Sequence, residues 1–195
     1  MKEPGIWKEI SMEELMGRYY EPQKFGAACE ACPNYRQKWS CPPYDYEVEA
    51  LLKSYSHCLL LGKKVRITPE EQALRGKEAE ALMWQKIDDA RAEEDGKALK
   101  LEQTGENCLA LAAGGCRICK TCARAENLPC RDPQRCRPSL ESFGFDVGAL
   151  AEKELGVPLV WQAEGLPEYY FLVNALFSRR SMRREAETIY GKSRA

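Results

Sequence analysis

The sequence predicts an α+β fold: a small, mostly antiparallel sheet with helices packed on it and two cysteine-rich metal-binding loops. Three observations lead there. Three short apolar runs read as strands: "HCLLLGKKVRI" (57–67), "NCLALAAGG" (107–115) and "EYYFLVNALFS" (168–178), the last rich in aromatic and β-branched residues. Segments with helix-start signals separate them, which is the pattern of an α+β chain. Ten cysteines stand among 195 residues, and eight of them fall in two short stretches, 29–43 and 114–138.

Each element has its own signal. "SMEELMGRYY" (11–20) opens with Ser11 and carries Glu14 three residues on, the spacing of a helix cap. "YDYEVEALLKSY" (44–55) sets Val48, Leu51, Leu52 and Tyr55 on one helical face. The run 57–67 is a buried strand that Gly62 interrupts. Residues 68–103 read as one long helix, with Thr68 as cap, Pro69 at the first position and Glu70 and Glu71 at the positive end of the dipole. Leu74, Ala81, Met83, Trp84, Ile87 and Ala90 are expected to face the core, and Gly96 marks the expected end. "RPSLESFGFDVGALAEKELG" (137–156) carries one or two short helices, with Asp146 capping the second. A single domain is expected over 1–195, with cysteine loops at 29–43 and 114–138. A basic tail at 179–195, holding Arg179, Arg180, Arg183, Arg184, Lys192 and Arg194, is expected to be solvated.

The totals exclude several function classes. With 29 basic and 30 acidic residues, bulk charge favours no nucleic acid. No run has the length of a membrane span. "MKEPGIWKEI" has no apolar leader, so a cytoplasmic location is expected, where clustered thiols are metal ligands or redox groups and not disulfides. No phosphate loop, dinucleotide fingerprint or nucleophile motif is present; "GKKVRI" lacks the leading glycine spacing of a phosphate loop. The oligomeric state is not encoded in any motif, although aromatics at Tyr169 and Tyr170 would permit a dimer if exposed.

The chemistry is in the thiols. Cys116, Cys119 and Cys122 form C-x-x-C-x-x-C, preceded by Gly114 and Gly115. A run of this kind wraps a compact centre and offers each sulfur from a different direction. A four-iron cluster needs one thiolate per iron, and ferredoxin-type sites combine such a run with a remote cysteine beside a proline. Cys130, directly after Pro129, is that remote candidate. Zinc is the rival, since paired C-x-x-C knuckles are its usual form. The other stretch supplies Cys29, Cys32 and Cys41, with prolines after the second and third. Tyr35 and Trp39 would shield a centre there from water or anchor the loop. A fourth ligand is missing: it comes from Cys58, Cys108, Cys136 or Cys130, or from outside the chain. Cys58 and Cys108 sit at strand starts, where core packing is the default. His57 stands alone at a strand edge. Arg117, Arg131, Arg135 and Arg137 would offset thiolate charge, bind an anionic substrate, or mark the docking face of an acidic redox partner.

"CEACPNYRQKWSCPP" (29–43) and "GGCRICKTCARAENLPCRDPQRCRPSLESFGFDV" (114–147) resemble the family catalogued as domain of unknown function 2284, described as predicted metal-binding proteins of bacteria and archaea. The resemblance spans roughly residues 25–178 and includes Tyr35, Trp39, Pro42, Pro43, Arg131, Pro133, Pro138, Ser139, Gly144, Asp146 and Val147. It implies metal binding through Cys29, Cys32, Cys41, Cys116, Cys119, Cys122 and Cys130. It brings no established reaction, and the family pattern does not require a cysteine at Cys136. The expected function is an iron–sulfur protein with one or two [4Fe–4S] clusters that exchanges electrons with a redox partner. A zinc-stabilised binding module and a cluster enzyme with an open iron are the alternatives.

Overall fold

The structure, a computed structural model, describes residues 5–160 and 165–194. Its framework is a four-stranded sheet, all neighbours antiparallel, in the order β1-β2-β4-β3. The strands are β1 (Ile6–Ser11), β2 (His57–Arg66), β3 (Leu109–Leu111) and β4 (Tyr169–Ser178). Among the described residues the α-helices are α1 (Met12–Tyr19), α2 (Pro22–Glu30), α3 (Val48–Lys53), α4 (Pro69–Gln72), α5 (Gly76–Thr104), α6 (Val147–Lys153) and α7 (Arg183–Tyr190). The three expected strands are present. Gly62 does not interrupt β2: an added Cβ there would lie 2.5 Å from Phe171 Cζ, so the missing side chain makes room for a ring of β4 within a continuous strand.

Alternation along the two central strands builds two apolar layers. Cys58, Leu60, Phe171, Val173, Ala175 and Phe177 face α1, α6 and the segment 140–147. Leu59, Leu61 and Leu176 point the other way, onto α5 and α7, where Ala98, Leu101, Met182, Ala186 and Tyr190 complete the layer. β3 is an edge strand, and its last residue leads within three positions to Gly114 and the second cysteine stretch.

Several expectations need correction. β1 was not legible because Lys8 and Glu9 interrupt its apolar pattern. Its buried positions are Trp7 and Ile10, and Glu9 accepts from Ser181 Oγ at 2.8 Å and Met182 N at 2.7 Å. The long helix splits: Thr68 and Glu71 form a reciprocal cap on α4, and a new helix starts at Gly76, whose φ of +55° suits glycine. α5 then runs through Gly96 to Thr104, its buried side including Ala90, Arg91, Glu94, Ala98 and Leu101. Ala81 and Trp84 are exposed instead of core-facing. The basic tail is not simply solvated. It forms α7, which buries Met182, Ala186 and Tyr190 while Arg180 and Arg183 pair with Glu185 and Glu9; Ala195 lies outside the described residues. Tyr169 is buried, with its hydroxyl donating to Pro158 O at 2.8 Å, so it offers no exposed ring. The caps at Ser11 and Asp146 form as expected, accepting from Glu14 N and Ala149 N. Among the described residues no helix is long and apolar enough to cross a membrane.

Candidate metal centre

The ten cysteines are all free thiols, and they separate by place in the fold. Cys58 lies on β2, wholly buried, paired with Ile10 and Phe177 across the sheet, and burial pushes its thiol pKa far up. Cys108 packs at Gly105 and Met182, its Sγ 3.8 Å from Glu106 O. Cys58 is thus a small apolar residue of the core and Cys108 one of its margin. His57 turns toward Glu9 at 3.8 Å.

The remaining eight sit on two segments covering one end of the molecule. Cys29 is in the last turn of α2, not in a loop, and the chain then winds through tight turns to Cys41. Cys29 and Cys41 are held above the ordinary thiol range, first by burial and then by the charge of neighbouring thiols, Cys32 among them. At Cys41, Ser40, Lys38 and Arg124 pull in the opposite direction. This mutual influence places Cys29, Cys32 and Cys41 together as one group.

The second segment surrounds a narrow recess, open to solvent, whose wall includes Cys116, Cys119, Cys122, Cys130 and Cys136. Cys136 is therefore beside the four expected residues. Its thiol and the Cys116 sulfur share a hydrogen bond that lowers Cys116 to about 6, against burial and with help from the Ile118 amide, Lys38 and Arg91. The same bond, together with burial and the nearness of Cys130, pushes Cys136 up, so Cys116 is the thiolate and Cys136 the donor. Among the described residues no three His, Cys, Asp or Glu side chains meet as ligands of one metal ion would.

Residues outside the cysteine pattern join the two groups. Ser40 Oγ accepts from Cys116 N at 2.9 Å and lies 3.7 Å from Cys41 Sγ, so one hydroxyl stands between them. Lys38 Nζ donates to Cys116 O at 2.9 Å. Arg124 donates to Lys38 O at 2.9 Å and also to Cys41 O and Pro43 O, and it lies 5.0 Å over the Trp39 ring. Trp39 Nε1 in turn donates to Leu128 O at 3.0 Å. From behind, Arg91 of α5 donates to Gly115 O at 2.7 Å. Of these the sequence singles out Trp39 alone; Lys38, Arg91 and Arg124 carry no local signal, and Ser40 only its adjacency to Cys41. The four arginines flanking the second segment each face a carboxylate: Arg117 with Asp88, Arg131 with Glu126, Arg135 with Asp132, and Arg137 with Glu102 at 2.5 Å.

Of the six large apolar side chains most exposed among the described residues, Trp39, Tyr46, Ile118 and Leu128 lie on or beside these segments. A fifth, Trp84, is covered by Arg117 with the guanidinium 4.5 Å from its ring centre. A second, solvent-open hollow lies between the groups, bounded by Trp39, Pro43, Tyr44, Tyr46, Arg124 and Cys136.

The profile of a family described as predicted metal-binding proteins, domain of unknown function 2284, matches residues 18–173 and so spans both groups. Among curated proteins and among solved structures, nothing matches the chain.

Proposed function

Since the chain belongs to the domain of unknown function 2284 family of predicted metal-binding proteins, we propose that its metal is iron, held as [4Fe–4S] clusters on two groups of cysteines, and that the protein passes electrons to or from a protein partner. One observation carries the choice of cluster over single ion: Cys116, Cys119 and Cys122 form a C-x-x-C-x-x-C run, Cys130 follows Pro129, and these four cysteines wall one recess together with Cys136. A zinc knuckle closes paired C-x-x-C spacings on one point, about 2.3 Å from each sulfur. A cubane puts each thiolate on a separate corner.

Cys116, Cys119, Cys122 and Cys130 would hold one cluster; Cys29, Cys32 and Cys41 would supply three ligands to another. Bound there, such clusters store and release single electrons. The chain's own residues prepare both places. The bond from Cys136 lowers the Cys116 pKa, which favours the thiolate that a metal needs. Lys38, Arg91 and Arg124 put positive charge between two sets of anionic sulfurs while spending their donors on carbonyls of the same segments. Ser40 keeps the two groups adjacent, which favours transfer between them. The apolar rim of Trp39, Tyr46, Ile118 and Leu128 suits a docking protein, since contiguous exposed apolar groups mark interaction surfaces.

The test is metal and acid-labile sulfide content of full-length protein purified without oxygen. Two clusters predict brown protein with roughly eight irons and eight sulfides per chain. Cys41→Ser and Cys122→Ser should each remove about half of both. Colourless protein carrying only zinc refutes the proposal.

A further inference from the structure

The first group has three thiols, and no expected fourth sulfur stands free beside it. Cys58 is inside the sheet layer, Cys108 is against Met182, Cys130 lines the recess of the second segment, and Cys136, which reaches the space between the groups, is bonded to Cys116. An acid stands beside it instead. Glu141 opens a 3-10 turn (Glu141–Phe143), and Cys29 Sγ lies 4.0 Å from Glu141 O. The turn is fixed to the helix that carries Cys29: Glu21 N donates to Gly144 O at 2.8 Å, and a Cβ on Gly144 would come 2.8 Å from Pro22 Cα. Gly144 has φ +98°, so glycine serves both the backbone turn and the close approach.

The carboxylate itself is half used. The Ser139 hydroxyl bonds to it, while Oε2 is closed off from solvent and has no hydrogen-bond partner. Its charge acts on Cys29 and on Arg91, yet among the described residues it forms no ion pair. A buried carboxylate oxygen without a donor is costly, and a cation bound to it removes the cost. Resting on the two-cluster reading above, we propose that Glu141 is the fourth protein ligand of the first group, its Oε2 binding the iron that Cys29, Cys32 and Cys41 leave without a thiolate. The first centre is then a three-thiolate, one-carboxylate site. An oxygen ligand is harder than sulfur and holds iron less firmly, so this is the corner that exchanges.

The experiment reconstitutes the full chain with iron and sulfide under anaerobic conditions, as wild type, Glu141→Gln and Glu141→Cys. Iron and sulfide are counted, electron paramagnetic resonance spectra are recorded, and the apo forms are melted. The Gln variant should lose one iron, taking the first cluster from about four to about three, with a three-iron signal appearing on oxidation. The Cys variant should restore the iron count and change the spectrum of the first cluster only. Apo Glu141→Gln should melt no lower than apo wild type, because it removes a buried carboxyl group whose charged form burial disfavours. Wild-type iron content and an unchanged spectrum in the Gln variant overturn the proposal. So does an apo Gln variant that is unfolded or clearly less stable, which would give the carboxylate a structural task. Wild-type protein with zinc and no sulfide also overturns it, and that result is read before any variant is made, so it is distinguishable as failure of the cluster reading itself.

Discussion

Arg124 is the residue whose loss should separate the two cysteine groups. It leaves the 3-10 turn after Cys122 and places donors on three carbonyls of the first segment, those of Lys38, Cys41 and Pro43. A hydrogen bond from a charged donor contributes about 1.5–3 kcal/mol when buried. Arg124 is half-buried, so about 1 kcal/mol for each is the appropriate scale after solvent screening. Loss of its place 5.0 Å over the Trp39 ring adds roughly 0.5 kcal/mol. Arg124→Ala should therefore weaken docking of the segments by about 3 kcal/mol, on the order of 100-fold in equilibrium. In a chain of this length that lowers the melting temperature by about 6–12 °C. Arg124→Lys should recover about a third, because one ammonium cannot span three carbonyls. The assay is thermal melting of apo protein followed by tryptophan fluorescence, which Trp39 reports locally, with hydrogen exchange of residues 38–46 as the second readout. A shift below about 0.5 kcal/mol, with exchange unchanged, would show that the two segments hold together without this clamp, and that their contact is set by Ser40, Lys38 and Arg91 alone.

Three further outcomes are expected. Glu154 is buried, which alone would raise its pKa, but hydrogen bonds from Lys8 and Tyr19 and the nearby Arg18 hold it below the usual carboxylate range. A carboxylate depressed in the folded state contributes stability above its unfolded pKa and loses it as pH falls through the folded value. Glu154→Gln should thus cost about 2–4 kcal/mol near pH 7 in urea unfolding, with the difference from wild type vanishing in acid. Cys58→Ser should cost about 1–3 kcal/mol by burying an unpaired hydroxyl, and Cys108→Ser less; in both the metal content should equal that of wild type. Gly144→Ala should strain the backbone at φ +98° and push against Pro22, costing at least about 1–2 kcal/mol by the same unfolding assay and releasing metal from the first group before the second.

The central strands were legible because burial on both faces writes a continuous apolar run, as in Leu59-Leu60-Leu61 of β2. Ser11, Thr68 and Asp146 were legible because a cap is a local event spanning three or four residues. β1 was hidden because its polar residues are satisfied at a distance: Glu9 is paired to the start of α7, more than 170 residues away. α7 was hidden for the complementary reason. Its arginines dominate composition, yet three residues, Met182, Ala186 and Tyr190, carry its burial. The split at Gly76 could not be told from a tolerated glycine such as Gly96, since only the backbone angle distinguishes them. At the candidate site, the cysteine spacing was visible, but Lys38, Ser40, Arg91, Arg124 and Glu141 were not. Their partners are carbonyls and sulfurs brought near by folding, and no periodicity records such a contact.

Those five residues change how the cysteines should be understood. The exposed arginines around the second segment have carboxylates of their own, so little of their charge is free to face a distant anion. Arg135 still acts on Cys116 and Cys119, but the cations placed between the groups are the inner ones, Lys38 and Arg91 on Cys116 and Lys38 and Arg124 on Cys41. Charge placed between the groups stabilises anionic centres on both sides at once, and salt screens a half-buried charge less than a surface charge. Two metal centres built on separate knuckles would need no shared cation. The shared Lys38 and the shared Ser40 instead tie the two groups to each other, an arrangement that the proposed two-centre electron carrier would use and a pair of independent structural ions would not need.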